Sequence, residues 1–335
     1  MASLKSLASQ TAIYGISSIL GRVLNFALTP LHTRFLDKGE YGVNTDVYSM
    51  IAFLMVILTF GMETGFFRFF NNGKYDKRAV FSSSVSVVFS LCIAFLLLTL
   101  AFLSPLAELL KYDQNPQFVL WMMLIVSADA LAAVPYAKLR AENRPFRFVV
   151  IRVGTIAIIV LLNLFFFLAL PWLDQNDHLP ASMQFMYDPQ LGVAYIFIAN
   201  LIGNAVMILL FLPDLLQIKP RWIQPRLVRQ LLIYSSPLVL AGLAGIANEM
   251  ANRQFLKYLL PEGANFEAMG IFGANVKIAT FMVLFIQAFR FAAEPFFFSG
   301  EGDFKLKMAR VMRYFVMVQT LIFLGLVCFL DIIKW

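Results

Sequence analysis

Residues 79–103 read AVFSSSVSVVFSLCIAFLLLTLAFL, twenty-five positions without one charge. A helix rises about 1.5 Å per residue, so about 20 residues cross the roughly 30 Å hydrocarbon core of a bilayer. Lipid offers no hydrogen bonds, and a helix satisfies its own backbone groups. The stretch therefore predicts a transmembrane helix, with Lys77 and Arg78 marking its entry.

Working outward, the same reading applies at about 8–30, 44–67, 117–137, 148–170, 191–212, 231–254, 270–298 and 314–330. Nine spans are expected, joined by short loops. The chain is 60% hydrophobic with a mean hydropathy of +0.75. Soluble domains hold about 45–50% apolar residues, so the fold class is an all-α polytopic transmembrane bundle. The short alternating segments of a membrane β-barrel do not appear. The first span carries Arg22 and Asn25 and lacks a small-residue cleavage site, so it reads as a retained helix. Cys92 and Cys328 both fall in apolar spans and form neither a disulfide framework nor a metal motif.

Basic residues set the expected orientation. With the N-terminus cytoplasmic, seventeen of the 27 lysines and arginines fall in inner segments, five in outer segments and five inside spans. That bias follows the positive-inside rule. The net charge of +7 therefore needs no nucleic-acid partner, and contact with anionic lipid headgroups accounts for the inner clusters.

The second and eighth spans match without a gap. Gly42, Asn44, Phe60, Glu63, Phe66 and Phe67 correspond to Gly273, Asn275, Phe291, Glu294, Phe297 and Phe298, each offset by 231 residues. Read as a repeat, this gives an N-lobe over 1–212, a cytoplasmic linker over 213–230 and a partial C-lobe over 231–335. Six spans precede the second copy, so both copies insert the same way round. Parallel repeats of this kind place a cargo site between the lobes near the midplane. The second lobe holds three spans against six. A complete version is expected to need roughly a hundred further residues for three more helices.

The five bases inside spans are Arg22, Arg152, Arg253, Lys277 and Arg290. Each costs roughly 2.5–3.5 kcal/mol at a bilayer centre unless it faces protein or water. A cationic interior points to an anionic cargo, so these five are the candidate substrate-binding residues. Phosphate or pyrophosphate suits a guanidinium fork beside a mobile ammonium. Glu63, Asp129, Glu249 and Glu294 also lie inside spans and are the candidate ion-coupling residues. Asp129 and Arg22 are both near mid-span and are a candidate pair. Glu249 and Arg253, like Arg290 and Glu294, are spaced i, i+4 and share a helix face. Arg290 and Arg152 also lie near enough to span ends to snorkel. Arg22, Arg253 and Lys277 are the strongest anion-binding candidates. His32 and His178 fall in outer loops, and no phosphate loop, metal-spaced cluster or nucleophile elbow accompanies them. No enzyme and no cofactor is expected.

The segment Gly21-Arg22-Val23-Leu24-Asn25-Phe26, followed by Thr33-Arg34-Phe35-Leu36 and Glu40-Tyr41-Gly42, resembles the start of the polysaccharide-biosynthesis flippases called Wzx. The runs Phe272-Gly273-Ala274-Asn275 and Ala288-Phe289-Arg290-Phe291-Ala292-Ala293-Glu294-Pro295-Phe296-Phe297-Phe298 resemble their eighth span. Wzx proteins belong to the multidrug/oligosaccharidyl-lipid/polysaccharide exporter superfamily, with lipid II flippases and MATE exporters. The resemblance implies a two-lobe MATE-like fold in a bacterial inner membrane, with a cationic cavity. It implies translocation of undecaprenyl-pyrophosphate-linked oligosaccharide from the inner to the outer leaflet, with H+ or Na+ as the coupling ion. Family members have more than nine spans. Lipid II flippases share Arg22 and Arg34 but typically carry Arg-Asp where this chain has Leu28-Thr29, which disfavours lipid II as cargo. An organic-cation exporter and a non-transporting scaffold of glycan assembly are the alternatives.

Overall fold

The structure, a computed structural model, describes residues 20–21, 23–176, 187–188, 191–261, 263–298 and 304–329. Side chains at 281, 284, 287–298, 304–308 and 310 are outside that description. Among the described residues the chain is all helix and turn, without a strand. Among the described residues seven helices are long and apolar enough to cross a membrane, as expected of a multi-pass membrane protein. The expected eighth span is helical throughout. The first is helical at 20–21, 23–27 and 29–30 with a turn at Leu28, and lies otherwise outside the described residues.

In chain order the elements are α1 (Thr29–Phe35), α2 (Lys38–Thr59), α3 (Met62–Asn71), α4 (Lys77–Ala101), α5 (Leu103–Leu109) and α6 (Pro116–Ala141). Then come α7 (Pro145–Leu164), a π-turn (Phe165–Ala169), α8 (Leu170–Gln175), α9 (Ala194–Leu215), α10 (Pro225–Leu259), α11 (Ala264–Phe298) and α12 (Phe304–Cys328). The ends carrying the clustered lysines and arginines are called the basic end below.

The centre is α6. Ala130, Ala132, Ala133, Ala137 and Ser127 are all buried on it, and such small residues let neighbouring backbones approach closely. Helices α2, α4, α7 and α9 pack around it. Phe66, Phe197, Val119, Val126 and Val134 fill the space between them and are almost wholly buried. Asn204 of α9 donates to the Ile125 carbonyl at 3.3 Å, a polar tie inside the apolar bundle.

Helix α2 starts on a capping box. The Asp37 carboxylate accepts from the Glu40 N–H at 2.7 Å, and Glu40 accepts from the Asp37 N–H at 3.1 Å. Two donors that a helix start leaves orphaned are satisfied reciprocally. The expected single span over 44–67 is two helices, because Phe60 and Gly61 both take left-handed φ values of 47° and 63°. The Gly61 carbonyl accepts from the Gly65 N–H at 3.1 Å, and the Ser235 hydroxyl of α10 adds a second bond to it at 3.3 Å.

The expected fifth span also differs, running on past residue 170 to Gln175. Pro171 has no N–H to give, and the π-turn before it lets the Leu170 N–H bond Phe165 instead. His32, expected in an outer loop, is buried on α1 and bonded to Asn163 of α7 at 2.8 Å.

Helix α11 lies against α2 in the most extensive helix pairing of the molecule. Glycine makes this possible. A Cβ at Gly42 would overlap the Phe266 carbonyl oxygen, one at Gly270 the Lys38 carbonyl, and one at Gly273 the Thr45 side chain. These are the helices matched by the 231-residue offset, and the matched glycines Gly42 and Gly273 are both buried in their interface. The matched asparagines part company: Asn44 is buried and Asn275 exposed. Gly42→Ala is expected to lower stability by about 1–3 kcal/mol through overpacking. Gly245→Ala, in open space on α10, should instead gain about 0.5–1 kcal/mol from helix propensity. Thermal unfolding in detergent checks both signs.

Candidate functional site

Helices α10 and α11 carry the two predicted bases that the structure brings together. Arg253 of α10 lies close enough to Lys277 of α11 to act on it electrostatically. Lys277 also acts on His32 of α1. The site is thus a seam where α10 and α11 meet α1. Lys277 is accessible and Arg253 half-buried.

Neither base has a counter-ion among the described residues. The expected i, i+4 bond from Arg253 to Glu249 does not form, and Glu249 points out, exposed. The Arg253 Nε is shut away from solvent without an acceptor. A shielded donor without a partner is unfavourable by about 1–3 kcal/mol, more for a charged group. Two adjacent cations also repel each other. Both penalties vanish when an oxyanion sits between them, accepting charge-assisted bonds from guanidinium and ammonium.

One turn beyond Arg253, Lys257 presents a different arrangement. Lys257 and Asp46 of α2 form an ion pair in which both side chains are 0% exposed. Asp46 also accepts from the Tyr112 hydroxyl at 2.6 Å and from Gln254 at 3.3 Å. The Lys257 ammonium sits 4.6 Å from the centre of the Tyr112 ring and 5.6 Å from that of Phe266, geometry that adds cation–π attraction. Asn265 donates to the Lys257 carbonyl at 3.2 Å. Burial, then the Asp46 carboxylate, hold the Tyr112 phenol well above its ordinary pKa, so it stays a donor. Four segments are tied here: α2, the α5–α6 turn, the end of α10 and the first turn of α11. The knot closes the seam at the end opposite the basic loops.

Sequence reasoning missed this knot. Lys257 was expected in an outer segment, and Asp46 falls at the edge of the span expected over 44–67. Near the edge of a span, exposure is the ordinary expectation. Only their meeting across 211 residues of chain buries them.

The remaining predicted residues divide by place. Asp129 is half-buried midway along α6, with Arg152 of α7 and the Asn204 side chain of α9 near enough to act on it. Arg152 is exposed, its guanidinium 5.6 Å from the centre of the Tyr136 ring. These two lie on α6 and α7, neither of which pairs extensively with α10 or α11. Glu63 opens α3 and is ion-paired to Arg140, which also lies 5.1 Å from the Phe67 ring centre. With both partners a third or more exposed, the pair is worth about 0–1 kcal/mol. Glu63→Gln should accordingly shift the unfolding temperature little. Arg22, and with it the expected Arg22–Asp129 pair, lies outside the described residues, as do the side chains of Arg290 and Glu294. A second charge knot, absent from the expectations, joins Asp214 of α9 to Lys138 at 2.9 Å and to Arg147.

Comparison with protein-family models, with curated proteins and with solved structures finds no match.

Proposed function

We propose that this chain is a membrane flippase for a lipid-linked oligosaccharide carried on polyprenyl pyrophosphate, moved from the inner to the outer leaflet for surface polysaccharide assembly. The observation that carries the reading is the cation pair Arg253–Lys277, unpartnered among the described residues and set where α10 and α11 meet α1. A pyrophosphate reaching both would offset their repulsion and give the Arg253 Nε an acceptor. The knot at Asp46 and Lys257 supports alternating access: it holds one end of the seam shut while the other admits cargo. Asp129 is the ion-coupling candidate that best fits a half-buried carboxylate with polar company, and H+ or Na+ is its proposed ion. Arg22 is proposed to complete the cationic set, and the bacterial cell membrane is the proposed location.

The test is made in cells that depend on the chain for glycan display. Replacing Arg253 and Lys277 together with Gln should abolish display while membrane insertion persists. An organic-cation exporter predicts the opposite pattern: display unchanged and resistance to cationic drugs lost.

A further inference from the structure

At the basic end a cavity of about 390 Å³ opens between the end of α3, the start of α4, the end of α6 and the linker after α9. Lys77, Arg78, Lys138, Lys219 and Arg221 line it, and Glu142 is the carboxylate among the lining residues. Lys138 is bound to Asp214 at 2.9 Å, and Glu142 is ion-paired to Arg144 at 3.1 Å. That leaves Lys77, Arg78, Lys219 and Arg221 without an ion pair among the described residues.

Aromatic rings hold these cations in place. The Trp222 ring centre lies 6.0 Å from the Arg78 guanidinium carbon and 5.5 Å from that of Arg221. The Lys77 ammonium lies 4.8 Å from the Phe70 ring centre. The linker is pinned beside them, the Gln224 N–H donating to the Ser83 hydroxyl at 3.3 Å. Four like charges around one concave space repel one another, and an anion within it reverses the sign of that interaction. Topology alone requires basic residues in these loops, but it does not require them to converge on a cavity with an aromatic floor.

We propose that this cavity binds a phosphate-bearing anion, the phosphodiester headgroup of an anionic membrane lipid. Arginine forks match phosphate oxygens two at a time, and basic pockets between membrane helices are suited to such headgroups. The flanking Phe70, Phe81 and Trp222 give the glycerol and upper acyl region an apolar wall. The occupant would fasten the linker to α4 and α6, and so fix where α10 begins. The site is independent of what crosses the seam.

The test uses the full purified chain in neutral detergent, with lipid retention read by native mass spectrometry. Phosphatidylglycerol should be retained at least tenfold better than phosphatidylcholine. Arg78→Ala with Arg221→Ala should remove that preference, and Arg78→Lys with Arg221→Lys should keep most of it. Lys219→Ala, at an exposed linker position, should weaken it a few-fold with no risk to folding. Arg226→Ala with Arg229→Ala, basic but outside the cavity, should leave it unchanged. Inorganic phosphate that is itself retained, and displaces the lipid with the same variant dependence, keeps the phosphate chemistry and assigns a soluble source. Equal retention of the two lipids, or equal loss in both alanine pairs, overturns the proposal.

Discussion

Lys257→Ala is expected to lower the unfolding free energy by about 3–5 kcal/mol, the usual penalty for stranding one charge of a buried pair. The substitution leaves the Asp46 carboxylate enclosed, with Tyr112 and Gln254 as its remaining donors. It also removes the cation that the Tyr112 and Phe266 rings face. Asp46→Ala strands Lys257 in the same way and belongs in the same range. The double replacement Asp46→Leu with Lys257→Met separates pairing from burial. Buried pairs exchanged for apolar groups are often neutral or better, but here the Tyr112 hydroxyl loses its acceptor. The double variant should therefore recover most of the single-variant loss and not all of it. Thermal unfolding in detergent measures the series, and single variants indistinguishable from the parent would contradict the burial of this knot. Because the knot joins α2 to α10, the single variants should also expose a cysteine introduced at Gln254 to membrane-impermeant reagents.

Arg253→Gln with Lys277→Gln is expected to give the reverse signature. No counter-ion is lost, because none is present among the described residues. Removing two adjacent like charges should leave stability unchanged or raise it. Binding should suffer instead. Each charge-assisted hydrogen bond is worth about 1.5–3 kcal/mol, so losing two weakens binding by about 3 kcal/mol or more. That corresponds to about a hundredfold in affinity. Geranylgeranyl pyrophosphate serves as the probe: it should raise the unfolding temperature of the parent and not that of the double variant. Stability gained together with function lost marks residues kept for ligand binding. A stability loss as large as that of Lys257→Ala would instead make the two bases structural.

The contrast between these pairs shows what the amino-acid sequence discloses and what it hides. Residues 79–103 announce α4 because no charge interrupts them and nothing else satisfies that backbone in lipid. The break after Thr59 is silent, because neither Phe60 nor Gly61 is a strong signal inside an apolar run, and the Ser235 hydroxyl that meets the Gly61 carbonyl comes from a helix 174 residues away. Pro171 reads as a terminator, yet the π-turn carries the helix past it. Lys138 and Arg147 read as orientation signals in the charge count, but the folded chain clamps both onto Asp214.

The candidate site divides along the same line. Arg253 and Lys277 are legible because a charge in an apolar span is anomalous by itself. Their adjacency is not, since it depends on how α10 meets α11. Glu249 is the instructive case: the i, i+4 spacing predicts a bond to Arg253, but spacing fixes only the shared face, not the rotamers, and Glu249 turns outward. Asp46 and Lys257 are the converse, two residues whose positions at the edges of expected spans argued for water and whose meeting excludes it.

The most direct measurement of the proposed function is leaflet-resolved transport. The purified chain, placed in sealed vesicles, is given a fluorescent short-chain polyprenyl pyrophosphate oligosaccharide on one side, and its arrival in the other leaflet is followed by quenching. The parent should translocate it above protein-free vesicles, the Arg253→Gln, Lys277→Gln double variant should fall to that background, and Glu63→Gln should resemble the parent. Equal rates in the parent and the double variant would contradict the proposal that these two cations carry the pyrophosphate.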